Sequence, residues 1–524
     1  MSDWACAGIS DVPNIIGDHR CSRIGPVRLH QSLAGRAAVT GERLSCEYLS
    51  DTLTVLCDGN VTCGLDDPNG TRSFGNIKLS SVDAIWRDLR YAERKQRLAQ
   101  GRSCDGCSLH HVVHGAMPER ASAPRRLIVE ATVTCNIRCK NDACFKNNDP
   151  SEKTRASNFL PLDAFKSLLD QTASGVEFMW FLNYGEPFLH PQAEEMIAYA
   201  KQKNPGMRIA SSTNGIPFAR PGRAEKLVRS GVDHMTFTIA GIDQPTYVRY
   251  HGRGSAAAAL DGLRRVCEAK RELDLATPVV QWRYLLFHWN DSAETIAKVK
   301  ELAAELGVDE LRFYLTHIPA GGATRRLAFG SPDHHEIADL ADASHGMRPD
   351  DDGLFLREDQ ESLGPYRWSA PTARVRLHVQ GRFASLALSR PPQTPDAGVV
   401  VTLPWSKFTT RISGDGAWAS MRIYVPRRYR RSRLVATLAT SAWFPVDDDV
   451  PDIRCLGVMV AEREVGGDQT ILFGARAMKN PHLRQKAREA QCQLSARMRS
   501  LRARLALRRR ASETLAALKK KHRA

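Results

Sequence analysis

Between residues 125 and 320 the chain alternates between two kinds of segment, and that alternation restricts its fold more than any other feature. Strand-like apolar runs fall at Leu127–Ala131, Val176–Leu182, Met207–Ser211, His234–Ile239, Val279–Phe287 and Glu310–Tyr314. Helical patterns over Leu162–Gln171, Ala193–Lys203, Ala224–Ser230, Ala256–Glu272 and Ala293–Leu306 separate them. Strands that pair parallel need long crossovers, and an amphipathic helix is the usual one. The pattern therefore predicts an α/β fold whose parallel sheet is open or curled into a partial (β/α)6 TIM-like barrel. Ligands of such sheets gather at the C-terminal ends of the strands, so the chemistry is expected in the loops that follow them.

The loop behind Leu127-Ile128-Val129 carries three thiols, Cys135, Cys139 and Cys144. Three ligands on one loop can hold an iron–sulfur cluster and leave one iron for a further ligand. A zinc knuckle is the alternative reading of the triplet. A second group lies nearer the N-terminus, where Cys57 and Cys63 are followed by Phe74-Gly75-Asn76-Ile77, Val82-Asp83-Ala84-Ile85-Trp86 and then Cys104 and Cys107, with Cys46 as a substitute ligand. Four thiolates can close a metal site, and ligand count alone leaves zinc and iron–sulfur both open. Ten of the thirteen cysteines precede residue 145. In a long cytosolic chain such clustering favours metal over disulfides.

Several later strands also run into small or polar residues: Asn183-Tyr184-Gly185-Glu186-Pro187, then Ser212-Thr213-Asn214-Gly215, then Thr238-Ile239-Ala240-Gly241. With Cys135-Asn136-Ile137-Arg138-Cys139, the aromatic Phe145 and His190-Pro191, residues 125–320 resemble the radical S-adenosylmethionine (radical SAM) superfamily. The resemblance implies a catalytic 4Fe–4S cluster on Cys135, Cys139 and Cys144, whose open iron chelates S-adenosyl-L-methionine. One electron then cleaves SAM to methionine and a 5′-deoxyadenosyl radical that abstracts hydrogen from substrate. It further implies that Gly185 lets the backbone approach the methionine amino group, and that Glu186 accepts from that group or braces the loop. Asn214 and Thr238 would bond the ribose or carboxylate, Phe145 would flank the adenine, and Arg253 would meet the carboxylate. The superfamily's usual spacing is three residues and then two; here it is three and then four.

The N-terminal cysteines, with their Gly-Asn and Ile-Trp segments, resemble the SPASM/twitch accessory domain of the same superfamily. That implies an auxiliary 4Fe–4S cluster on Cys57, Cys63, Cys104 and Cys107, placed before the barrel rather than after it. The expected organisation is an N-terminal segment (1–30), an iron–sulfur domain (31–115), the partial barrel (125–320), a linker (321–370), a β-sandwich (371–475) and a basic amphipathic helix (476–524). The net charge of +16 resides almost wholly in that last segment, where 16 Lys and Arg stand against Glu489 and Glu513. No signal pattern opens the chain and no long apolar run interrupts it, so a cytoplasmic location is expected.

Within the superfamily, an accessory domain of this kind implies a peptide or protein substrate, or a glycan-type one, and an electron donor such as flavodoxin or ferredoxin. The basic tail is a candidate contact for an acidic polymer or a membrane surface. Two other readings remain: an RNA-modifying radical SAM enzyme that uses the tail, and a non-catalytic iron–sulfur scaffold.

Overall fold

The computed structural model describes residues 43–63, 67, 70, 72–102, 111–113, 119–140, 155–316, 319–334, 350–360, 364–430, 433–445, 454–461 and 469–473. Cys104, Cys107, Cys144 and Phe145 lie outside these residues, as do the expected N-terminal segment and the basic segment 476–524. Among the described residues no helix is long and apolar enough to cross a membrane. The described residues divide into two compact units. Those up to Asp351, together with Ala442–Leu456, form one; Asp352–Ser441, together with those from Gly457 onward, form the other.

The first unit is built on a nine-stranded sheet. Three short strands come first, β1 (Thr52–Val55), β2 (Asn60–Thr62) and β3 (Gly75–Asn76). Six more follow: β4 (Arg126–Val129), β5 (Phe178–Trp180), β6 (Arg208–Thr213), β7 (His234–Thr238), β8 (Val279–Leu286) and β9 (Glu310–Leu315). Strands β4 to β9 lie side by side in chain order, each parallel to the next. This is the partial barrel. Its first strand, β4, is apolar on both faces, with Leu127, Ile128 and Val129 fully buried, whereas β7 and β8 alternate apolar residues with the buried polar His234, Thr236, Gln281 and Arg283.

Helices fill the crossovers where the periodicity places them. They are α3 (Leu162–Thr172), α4 (Ala193–Lys203), α5 (Arg223–Arg229), α7 (Ala256–Glu272) and α8 (Ala293–Leu306). One further helix, α6 (Gln244–His251), starts at the side-chain cap of Asp243 on the Thr246 N–H and stops at Gly252, which adopts φ 69°. Near the N-terminus lie two short helices, α1 (Val82–Trp86) and α2 (Leu89–Ala99). Arg87 leaves the helical path, and Asp88 re-caps the chain on the Arg90 N–H.

The region expected as a small iron–sulfur domain continues the barrel sheet. Strand β1 pairs parallel with β4, Val55 opposite Val129, and β2 and β3 add antiparallel strands outside it. Leu56 and Cys57 consequently leave their strand on the same edge of the sheet as the loop behind β4.

The second unit consists of strands β10 (Leu354–Gln360), β11 (Gly364–Ser369), β12 (Thr372–Gln380), β13 (Phe383–Ser389), β14 (Ala397–Leu403), β15 (Ser406–Ile412), β16 (Ala419–Tyr424), β17 (Leu434–Thr440), β18 (Met459–Ala461) and β19 (Gln469–Phe473). Strand β12 pairs with β17 over its first part and with β13 over its last, so it passes from one sheet to the other. Leu386, Leu388, Met421 and Ile423 from one sheet meet Val399, Val401, Leu434 and Leu438 from the other in one apolar core. This is the expected sandwich. It begins earlier than residue 371, because β10 and β11 belong to it rather than to a linker; Tyr366 and Trp368 are buried on either side of Arg367.

Candidate active site at the strand ends

The loop after β4 is fastened before it reaches the first cysteine. Thr132 donates its hydroxyl to the Asn158 carbonyl at 2.7 Å, and the Thr134 N–H returns to that hydroxyl at 3.1 Å. The Glu186 N–H donates to the Thr134 carbonyl at 2.8 Å. Gly185 lies in the left-handed region at φ 92°, and a Cβ there would stand 2.4 Å from the Thr132 carbonyl oxygen. The glycine thus allows two strand-end loops to touch.

Cys135 and Cys139 follow, both half-buried. The segment Tyr250–Gly254, at the end of α6, clamps them. The Arg138 N–H donates to the His251 carbonyl at 3.0 Å and the Lys140 N–H to the Tyr250 carbonyl at 2.8 Å. A Cβ on Gly252 would fall 2.1 Å from the Arg138 carbonyl, so this approach also needs glycine. Arg253 donates from Nη2 to the Cys135 carbonyl at 3.2 Å. The Nδ1 of His251 lies 3.5 Å from the Cys139 sulfur.

Glu186 is fully buried and braces the rim. Its Oε1 accepts from the Thr213 hydroxyl at 2.9 Å and the Phe188 N–H at 3.3 Å, and its Oε2 from the Asn214 N–H at 2.7 Å. Burial pushes its pKa up to about 7, against the three donors that favour the carboxylate. Asn214 is likewise engaged within the protein: Nδ2 donates to Asn136 Oδ1 at 2.7 Å and Oδ1 accepts from the Ile216 N–H at 3.1 Å. That Nδ2 also stands 4.0 Å from the Cys135 sulfur. His190 accepts the Gln192 N–H on Nδ1 at 3.0 Å, which leaves Nε2 to donate to the Leu160 carbonyl at 2.9 Å.

Among the described residues, the Thr238 hydroxyl, the Tyr247 phenol and the Trp289 indole N–H at this end of the sheet are buried without a hydrogen-bond partner. Burial raises the Tyr247 pKa, and the Cys139 and Cys135 thiols raise it further, which sets the ring beside the cysteine loop. Orphaned polar groups at the strand ends, with Tyr247 beside the two thiols, fit a polar ligand and a thiolate-held cluster, because burying such groups unpaired is costly. Among the described residues no group of three or more His, Cys, Asp or Glu gathers as a metal site.

On the same edge, Cys57 is fully buried. Its N–H donates to Glu130 Oε1 at 3.2 Å and its thiol to the Ser157 carbonyl at 3.2 Å. Burial, then the Glu130 charge, raises its pKa. Glu130 pairs with Arg155 at 2.9 Å, the two side chains being 0% and 1% exposed, and accepts from Asn183 Nδ2 at 3.0 Å. Cys63 is half-buried after β2, and Cys46 is buried.

The structure thus brings Cys135, Cys139, Gly185, Glu186, Asn214, Thr238 and Arg253 to the strand ends. It adds two residues that the sequence reading did not single out, Tyr247 and His251, both on α6. The Asp243-Gln244-Pro245 start and the Gly252 stop of α6 are legible signals for that helix, but nothing local marks either ring.

Comparison with known proteins agrees with the location of this site. Residues 129–297 match the model of the radical SAM superfamily, and residues 46–108 match the SPASM iron–sulfur cluster-binding domain. The chain is 28% identical over 217 residues to the AdoMet-dependent heme synthase of Methanosarcina barkeri, covering 41% of this chain and 57% of that protein. It is 25% identical over 207 residues to the PqqA peptide cyclase of Streptomyces rochei, covering 39% and 52%. A third relative, the Fe-coproporphyrin III synthase of Methanosarcina barkeri, is 31% identical over 138 residues, covering 26% and 32%. The chain spans about half the length of the first two relatives.

Proposed function

The chain carries a radical SAM domain preceded by a SPASM iron–sulfur domain, and from that premise we propose that it reductively cleaves S-adenosylmethionine and abstracts hydrogen from a peptide or protein side chain. The observation that carries this reading is the clamp on the cysteine loop: Tyr250–Gly254 holds Cys135 and Cys139 at the strand ends, beside the unpartnered Thr238 and Tyr247 hydroxyls. Cys135 and Cys139, with Cys144, would hold the catalytic cluster. When bound, that cluster supplies the electron that breaks a carbon–sulfur bond of SAM and yields the 5′-deoxyadenosyl radical.

The chain's own residues prepare the place. Gly185 sets one rim loop against the next, and Glu186 ties that loop to Thr213 and Asn214. The unpartnered Thr238 and Tyr247 hydroxyls would serve as polar contacts for SAM. Arg253 donates to the Cys135 carbonyl and so ties the cysteine loop to the end of α6. Cys57 and Cys63, with Cys104 and Cys107, would hold the auxiliary cluster. Cys57 must lose its proton to do so, and Arg155 is the neighbouring cation that favours the thiolate. The similarity to PqqA peptide cyclase supports a peptide substrate.

The test is 5′-deoxyadenosine released from SAM by the anaerobically reconstituted, dithionite-reduced protein, measured beside Cys139→Ala. Release by the wild type with none from the variant is the expected result. A wild type that holds reduced cluster yet releases none would overturn the reading and leave an iron–sulfur scaffold.

A further inference from the structure

We propose that His251 is a positioning residue for the catalytic cluster, donating a hydrogen bond from Nδ1–H to the Cys139 sulfur and thereby making the cluster easier to reduce. The inference rests on the radical SAM reading above and concerns how that site is tuned.

The direction of the hydrogen bond follows from the far side of the ring. The Ala240 N–H points at Nε2 from 3.1 Å. A backbone N–H can only donate, so Nε2 must offer its lone pair. The neutral imidazole then carries its one proton on Nδ1. A doubly protonated ring is excluded by the same contact, since it would set N–H against N–H. The proton on Nδ1 faces the Cys139 sulfur, 3.5 Å from the nitrogen.

The ring has little freedom to turn. His251 is 1% exposed, with the Tyr247 ring 4.3 Å away at 30° and the Tyr250 ring 5.0 Å away edge-on. Its carbonyl receives the Arg138 N–H, so the residue that addresses the sulfur also fixes the backbone of the loop carrying it.

A donor on a cysteinyl sulfur draws electron density from the cluster and favours the reduced form; hydrogen bonds to the sulfurs are among the determinants of cluster potential. The step is a one-electron reduction by a low-potential donor of the ferredoxin or flavodoxin class. No proton moves, because Nδ1 keeps its own.

Two substitutions separate this role from packing. In His251→Gln the side-chain oxygen can reach the Nε2 position and accept the Ala240 N–H, but no donor is left for the sulfur. In His251→Asn the amide nitrogen takes the Nδ1 position and can still donate to Cys139, while the Ala240 N–H loses its acceptor. The full-length reconstituted protein is poised with dithionite and redox dyes at the wild-type midpoint. The readout is the EPR signal of the reduced cluster that disappears in Cys139→Ala.

The expected result is a roughly tenfold lower ratio of reduced to oxidised cluster in His251→Gln, about 59 mV for one electron, with His251→Asn within about twofold of wild type. An unshifted His251→Gln would overturn the proposal, and so would a shift in Asn alone. If a wild type with reconstituted cluster shows no signal sensitive to Cys139→Ala, the radical SAM reading itself fails, an outcome distinct from an unshifted variant. Should either variant fail to hold its cluster, 15N-histidine NMR of the wild type decides. A proton on Nδ1 of the ring lost in His251→Asn supports the assignment, and one on Nε2 defeats it.

Discussion

Gly185 and Glu186 are neighbours whose requirements are opposite, one for emptiness and one for contact. A methyl group at position 185 meets the Thr132 carbonyl, at a φ that other residues adopt only at a cost. Gly185→Ala is expected to destabilise the first unit by roughly 2–4 kcal/mol. Urea unfolding checks this, and a loss below about 1 kcal/mol would show that the rim loops can separate freely. Glu186 brings a pH dependence. Its folded pKa of about 7 lies above the ordinary value of 4.5, so the folded state keeps a proton that the unfolded chain has already released. Stability from this group is therefore fully present below about pH 4.5, falls as pH rises toward 7 and is flat beyond, by roughly 3 kcal/mol in all. Glu186→Gln does not titrate, so the wild-type advantage over this variant should shrink between pH 4.5 and 7.5. Parallel pH profiles for the two proteins would refute it. At this scale the sequence reading located Gly185 as a point of close approach, yet what approaches is the Thr132–Thr134 backbone. It missed His251 because that ring's partners, Ala240 and Cys139, are 11 and 112 positions away, beyond any local pattern.

Strands β1 and β4 are neighbours in the sheet, and at their C-terminal ends a buried ion pair closes the joint. Glu130 takes the Cys57 N–H from β1's end, the Asn183 amide from β5's end and two donors from Arg155. Removing one partner of such a pair leaves an uncompensated buried charge. Arg155→Met is accordingly expected to cost about 3–5 kcal/mol, read from the denaturant midpoint. A change under about 1 kcal/mol would mean that water reaches Glu130. At the element scale the six barrel strands and five of their helices were legible, because parallel strands and crossover helices write strong, unlike periods. The split between α1 and α2 was not, since Ile85 and Leu89 keep a four-residue apolar spacing across the break that Asp88 makes. Strands β10 and β11 were hidden for a related reason: Asp351-Asp352-Gly353 and Gly364-Pro365 read as loop, although Tyr366 and Trp368, directly after the second, alternate with Arg367 as a strand does. The accessory region's strands were read as a separate domain because parallel pairing with β4 leaves no mark in either strand's own sequence.

The chain does not pass through its two units in one step. It enters the sandwich at Asp352, returns to the first unit over Ala442–Leu456, and goes back at Gly457 to supply β18. The returning segment is fastened inside the first unit: the Cys455 N–H donates to the Phe329 carbonyl at 2.7 Å, Arg454 bridges Phe329, and Trp443 pairs with Leu456. Cys455 and Leu456 are each 1% exposed there, beside a stretch in which Leu327 is fully buried. A boundary drawn from composition near residue 351 would therefore cut through a packed core. A chain ending at Asp351 should lose the burial of two or three side chains, at about 1.5–3 kcal/mol for each large apolar one. It should be nicked by protease between residues 319 and 334, where the full-length protein resists. Joining residues 442–456 to Asp351 through a short Gly–Ser linker should restore resistance and raise the melting temperature. Equal protease resistance of the chain ending at Asp351 and the full chain would show that the returning segment adds nothing to the first unit. Restoration by the linker alone, without residues 442–456, would show that the exposed end and not the lost core was at fault.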